Sequence, residues 1–150
     1  FYHYFDGKDA LLSTLSSLFD EKYEELTGLL TPEMTAMEQL LFLNRELFHM
    51  IEDSISLDLL ARLYSTQLTT NGEKHLLDHN RIYYKLLRKI IAKGQAEGQL
   101  SSRSNVNEMV KLYALCERAL LYDWCLCAGE YALTEYSAKV LPGFLSSFLP

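Results

Sequence analysis

The stretch Asn105–Cys127, NVNEMVKLYALCERALLYDWCLC, decides how the rest of the chain is read. Its apolar residues recur at intervals of three and four, the helical period, and they do so on two faces at once. Met109, Tyr113, Cys116, Leu120 and Trp124 make one face, and Leu112, Leu115, Ala119, Tyr122 and Leu126 make the other. A helix that is apolar nearly all round must be buried on two sides. One small domain can cover one of them, so a second chain is expected over the other. Asn105, with Glu108 three residues on, resembles a capping box and sets the start of this helix.

Working outward, 150 residues suit one domain, able to bury roughly 70% of the surface its unfolded form would expose. Apolar residues make up 49% and charged residues 23%, a globular balance. Only three prolines and seven glycines punctuate the chain, and no strand-like alternation persists, so an all-α fold is predicted. The first helix is expected from about Lys8 to Thr27, with Leu11, Leu15, Leu18, Phe19, Tyr23 and Leu26 inward and Gly28 as its stop. Thr31-Pro32-Glu33 reads as the start of a second helix to about Asp53, with Met34, Met37, Leu41, Phe48 and Ile51 as its stripe. A third starts after Ser54 or Ser56 and ends near Asn71-Gly72. A fourth carries Leu76, Leu77, Tyr83, Tyr84, Leu87, Ile90 and Ile91 and is capped by Gly98. Gly94 inside it costs about 1 kcal/mol relative to alanine unless a close neighbour needs the space. The last helix begins near Thr134 and is kinked or interrupted at Pro142.

The formal net charge of −6 repels phosphate backbones, so this piece by itself is not expected to hold DNA. No apolar run approaches the ~20 residues needed to cross a bilayer, and a cytoplasmic protein with no membrane partner is expected. Cys116, Cys125 and Cys127 lack paired CxxC spacing and read as buried, reduced thiols.

Catalytic signatures are largely missing from the sequence. His75 and His79 share a helix face, but HLLDH lacks the glutamate of HExxH. Glu46 and His49 form one ExxH, where a di-iron bundle needs two copies and two further glutamates. A helical metal protein or enzyme built on Glu46, His49, His75 and His79 is therefore the competing reading. The preferred one has no enzyme activity and no cofactor. Ten tyrosines are more than a core of this size easily satisfies, which points to a cavity with scattered polar tips between the helices.

The ends of the chain carry a resemblance. FYHYFDGKDALLSTL, residues 1–15, resembles the close of the DNA-binding domain in TetR/AcrR-family transcriptional regulators, where an aromatic-rich recognition helix ends, a short turn with a Lys follows, and a long connecting helix begins. KIIAKGQAEGQLS and RALLYDWCLCAGEYALTEYSAKVL look like the family's later helices. The resemblance implies that residues 1–7 are the remnant of a helix-turn-helix whose earlier helices lie upstream, and that residues 8–150 form a ligand-binding and dimerisation domain. It implies that Tyr2, His3, Tyr4 and Lys8 touch operator DNA in the full-length protein, with Phe1 and Phe5 packing. It further implies a cavity for an unknown small-molecule effector, walled by the second to fifth helices, and a homodimer built from the fifth and last. Helical phase then assigns Arg45, Phe48, His49, Tyr64, Tyr83, Leu87, Tyr113 and Cys116 to the cavity, and Leu115, Ala119, Tyr122, Tyr136, Val140 and Phe144 to the interface. Pro142-Gly143 departs from the family's uninterrupted last helix. The function so implied is a ligand-responsive, DNA-binding repressor.

Overall fold

The computed structural model describes residues 2–69, 77–78 and 80–150, the side chains of residues 2–9, 11 and 12 excepted. His75, His79, Leu76 and the Asn71-Gly72 stop lie outside the described residues, as do the side chains of Tyr2, His3, Tyr4 and Lys8. The described residues form six α-helices, α1 (Tyr2–Leu29), α2 (Ala36–Ser54), α3 (Leu57–Thr69), α4 (Ile82–Ala96), α5 (Val106–Leu126) and α6 (Leu133–Phe144), followed by a 3-10 turn at Ser146–Phe148. Among them there is no strand. No helix among them is long and apolar enough to cross a membrane.

Helix α5 separates its two apolar faces. Met109, Tyr113, Leu120 and Trp124 are buried, whereas Leu115, Tyr122 and Leu126 are exposed. The start is fixed as expected: Asn105 Oδ1 accepts from the Glu108 amide at 2.9 Å. The reciprocal arm differs, because the Glu108 carboxylate takes the Asn105 side-chain amide rather than its backbone. The helix ends where Ala128 and Gly129 adopt φ of 54° and 72°, a left-handed pair that turns the chain towards α6.

Helix α2 starts later than Thr31-Pro32-Glu33 suggested. Thr35 and Glu38 form a complete capping box, with both orphan donors satisfied, while the Met34 amide closes a turn on the Thr31 carbonyl at 3.1 Å. The reciprocal cap outweighs the proline signal. The inward stripe is correspondingly Ala36, Leu40, Leu43, Asn44, Leu47, Phe48 and Ile51, with Met37 and Leu41 only half-buried. The arc is broad because α2 packs against both α4 and α6. Its Glu52 carboxylate reaches across to cap α6, accepting from the amides of Leu133 at 2.7 Å and Thr134 at 3.0 Å and from the Thr134 hydroxyl at 2.6 Å. Burial works to raise this carboxyl's pKa, but the Thr134 and Leu133 donors outweigh it and hold it below the usual range.

Helix α1 runs unbroken through Asp6-Gly7-Lys8, where a turn was expected. A single glycine costs a helix only about 1 kcal/mol, too little to stop one of this length. It also continues through Gly28 to Leu29. Helix α4 begins only at Ile82, after the Asp78 carboxylate has accepted the Asn80 amide at 2.9 Å in an Asx turn, so Leu77 precedes the helix. Gly98, at φ 75°, caps its far end as expected. Pro142 lies in the last turn of α6, which ends two residues later. The three cysteines are free and half-buried rather than fully buried.

Gly94 earns its place in α4 by close approach. A Cβ there would lie 2.6 Å from Ala36 Cβ and 2.7 Å from Leu100 Cδ1, where the Gln99 carboxamide also accepts the Ala36 amide. Gly94→Ala is expected to lose about 1–2 kcal/mol in urea unfolding, because overpacking of about 1–3 kcal/mol exceeds the gain in helix propensity. Gly28→Ala, whose Cβ meets nothing within 4 Å, is expected to gain up to about 1 kcal/mol.

Candidate functional site

Four helices meet at a buried polar chain. Glu117 on α5 is 3% exposed; its carboxylate accepts from Tyr83 Oη at 2.6 Å and from Asn44 Nδ2 at 2.9 Å. Asn44 on α2 in turn accepts from Ser137 Oγ on α6 at 2.7 Å. The neighbouring Tyr113 hydroxyl donates to the Leu40 carbonyl at 2.6 Å. Burial pushes the Glu117 carboxyl up from its ordinary range, against the pull of the Tyr83 and Asn44 hydrogen bonds and the Arg118 charge. The Tyr83 phenol is held well above its usual value by burial and then by Glu117. A carboxylate in low dielectric is tolerated only with such partners.

Two of these residues, Tyr83 and Glu117, line a cavity. Phe19 and Tyr23 come from α1, Leu47 and Ile51 from α2, Leu60, Leu63 and Tyr64 from α3, Tyr83 and Tyr84 from α4, and Ala114, Glu117, Arg118 and Leu121 from α5, with Arg81 just before α4. The cavity measures about 60 Å³ and opens to solvent. Its lining is apolar with a few convergent polar groups, the usual character of a small-molecule site. Arg118 donates to Tyr84 Oη at 3.1 Å. Arg81 sits 3.8 Å from Asp20, an ion pair too long for a hydrogen bond.

The second feature is a surface. Leu115 and Tyr122 of α5 are each 50% exposed, as is Phe144 of α6, with Tyr136 at 41%. Ala119 is exposed and Val140 half-buried beside them. Helices α5 and α6 pack against each other, and Tyr122 and Leu126 also border a groove with Ala61, Ser65 and Leu68 of α3. Tyr131 supports the surface, stacking on Tyr136 at 4.7 Å while its carbonyl accepts Trp124 Nε1 at 2.9 Å.

Of the residues assigned to the cavity from sequence, Tyr64 and Tyr83 line it. Phe48, Leu87 and Tyr113 are fully buried in the core outside its wall. Arg45 and His49 are corrected. Both face solvent on α2, Arg45 near Glu46 at 4.0 Å and over the Phe42 ring, and His49 on Asp53 at 3.1 Å. Their phase lies outside the arc running through Leu40, Asn44, Leu47 and Ile51. Cys116 is half-buried and outside the wall, with burial raising its thiol. No group of three His, Cys, Asp or Glu suited to a metal ion occurs among the described residues. The cavity also takes in α1, beyond the second to fifth helices expected.

Sequence reasoning missed Glu117, Asn44, Ser137 and Arg81. A signal for three of them was present: each occupies an inward helical phase otherwise held by apolar residues, Asn44 between Leu40 and Phe48, Ser137 between Leu133 and Leu141, and Glu117 one turn after Tyr113. Comparison with protein-family models, with curated proteins and with solved structures found no match.

Proposed function

We propose that this chain is the effector-binding and dimerisation part of a ligand-responsive transcriptional regulator of the TetR/AcrR type, acting as a repressor. The observation that carries the reading is that Phe19 and Tyr23 of α1, the helix that begins in the aromatic segment, form part of the cavity wall; its unbroken course through Asp6-Gly7-Lys8 departs from the turn that the resemblance implies. A ligand seated there presses directly on α1. Tyr2, His3, Tyr4 and Lys8 stand about 16 to 32 Å from Phe19 and Tyr23 along the same rod at 1.5 Å per residue, so a few degrees of tilt become ångströms at that end. Coupling of about 1–3 kcal/mol between the sites would change operator affinity roughly 5- to 150-fold. The exposed face of α5 and α6 supports a homodimer, which places two DNA-contacting segments about a two-fold axis.

The test uses the full product of the gene with a library of random fragments from its own genome. It is expected to enrich a two-fold symmetric sequence whose half-sites lie about 34–36 Å apart, or a multiple of that spacing. Enrichment of no sequence would remove the regulator reading.

A further inference from the structure

The Arg81 side chain is 8% exposed, yet its Nε is a buried donor with no hydrogen-bond partner among the described residues. Its guanidinium lines the cavity. A buried unpaired donor on a charged group is costly, and native structures seldom keep one without use. Arg81 is also the N-cap residue of α4 and does not cap the helix with its side chain. Tyr23 and Tyr64 line the same space. The Glu117 carboxylate, in contrast, is already occupied by Tyr83 and Asn44. Asp20 Oδ1, 3.8 Å from Arg81 Nη2 and also without a hydrogen-bond partner, is outside the cavity lining, so within the lining the unspent group is the Nε edge of Arg81.

We propose that the cavity binds a small carboxylic acid with an apolar body, its carboxylate on the Arg81 guanidinium and its body against Phe19, Leu60, Leu63 and Leu121. This rests on the effector-pocket reading and names the ligand's class. A planar carboxylate matches the guanidinium edge in a way a point anion does not. A single negative charge suits the site, since Arg118 is engaged by Tyr84 and the carboxylates of Asp20 and Glu117 would oppose a dianion. The mainly apolar lining selects against a second charged group.

The experiment compares 4-phenylbutyrate, 4-phenylbutanol and 4-phenylbutylamine by isothermal titration calorimetry on the same chain. The acid is expected to bind at least about 10-fold more tightly than the alcohol, and the amine more weakly than either. In Arg81→Gln, checked for folding by thermal unfolding, the acid is expected to fall to the level of the alcohol while the alcohol is unchanged. The comparison within the unmodified protein stands whether or not that variant folds. Equal binding of acid and alcohol, or preference for the amine, would overturn the carboxylate assignment while leaving an effector cavity in place. Binding of none of the three would overturn it too, and the genomic selection described above would still judge the regulator reading on its own.

Discussion

Asn44→Leu is expected to cost about 3–5 kcal/mol, read as a shift of the urea midpoint at unchanged slope. Leucine shares the branched shape of asparagine and is bulkier, so no cavity is created. The loss comes from hydrogen bonding: Asn44 donates to Glu117 at 2.9 Å and accepts from Ser137 at 2.7 Å, and all three are at most 3% exposed. The substitution strands a buried carboxyl and a buried hydroxyl together. Glu117→Gln should behave differently, changing stability by about 1 kcal/mol or less at neutral pH. The glutamine oxygen can accept from Tyr83, and the Asn44 amide can turn over so that its oxygen takes the new NH₂ and its nitrogen donates to Ser137. Each side chain keeps a partner, with the Ser137 hydroxyl changing from donor to acceptor. A loss as large as that of Asn44→Leu would show that the charge, not the hydrogen bonding, holds these helices together.

The same pair of proteins reports the sign of the pKa shift. Because burial raises the Glu117 carboxyl in the fold, the folded state keeps a proton that the unfolded chain has released above about pH 4.3. Wild-type stability therefore loses a contribution as pH rises from there to the folded pKa, and then levels off. Glu52, whose carboxyl is lowered, contributes in the opposite direction: its stabilisation is present above the unfolded value and is lost as pH falls through the folded one. Subtracting the Glu117→Gln curve from the wild-type curve cancels Glu52 and leaves Glu117. A flat difference between pH 4 and pH 8 would show that its carboxyl is not raised.

What could be read in advance follows from the range of the forces involved. Caps and glycine geometry are local, so Asn105 with Glu108 and the left-handed Gly98 were legible from a few residues. The two faces of α5 were legible because helical phase alone separates Tyr113 from Leu115. Where α2 begins was misread because two start signals, Thr31-Pro32 and Thr35-Glu38, stand four residues apart, and only the second completes a reciprocal cap. The polar chain escaped for a different reason. Asn44 meets Glu117 and Ser137 across 73 and 93 residues of sequence, and each in isolation is an ordinary polar residue on a helix. Arg81 is the extreme case, since its burial depends on α1 closing over the start of α4. The assignment of Arg45 and His49 to the cavity failed on a rotation of about 100°, the angle of one residue.

Leu115→Glu is expected to turn a dimer into a monomer, weakening self-association by roughly 10³-fold in sedimentation equilibrium. The face it sits on is made of residues a folded monomer leaves in water, Leu115, Tyr122, Tyr136 and Phe144, all between 41% and 50% exposed. A closed two-fold interface repeats every substitution, so one glutamate per chain becomes two carboxylates near the axis. Burying an unpaired charge costs several kcal/mol, and about 4 kcal/mol already corresponds to three decades in affinity. Phe144→Glu, on the other helix of the same face, should act alike. Leu29→Glu is the control: Leu29 is 51% exposed but closes α1, away from this face, and should leave association unchanged. Because the three side chains lie at the surface of the monomer, each variant should keep its fold, so loss of the dimer is separable from loss of structure. If the unmodified chain is a monomer at tens of micromolar, or if Leu115→Glu and Phe144→Glu dimerise like wild type, α5 and α6 do not form the interface, and the apolar face needs a partner of another kind.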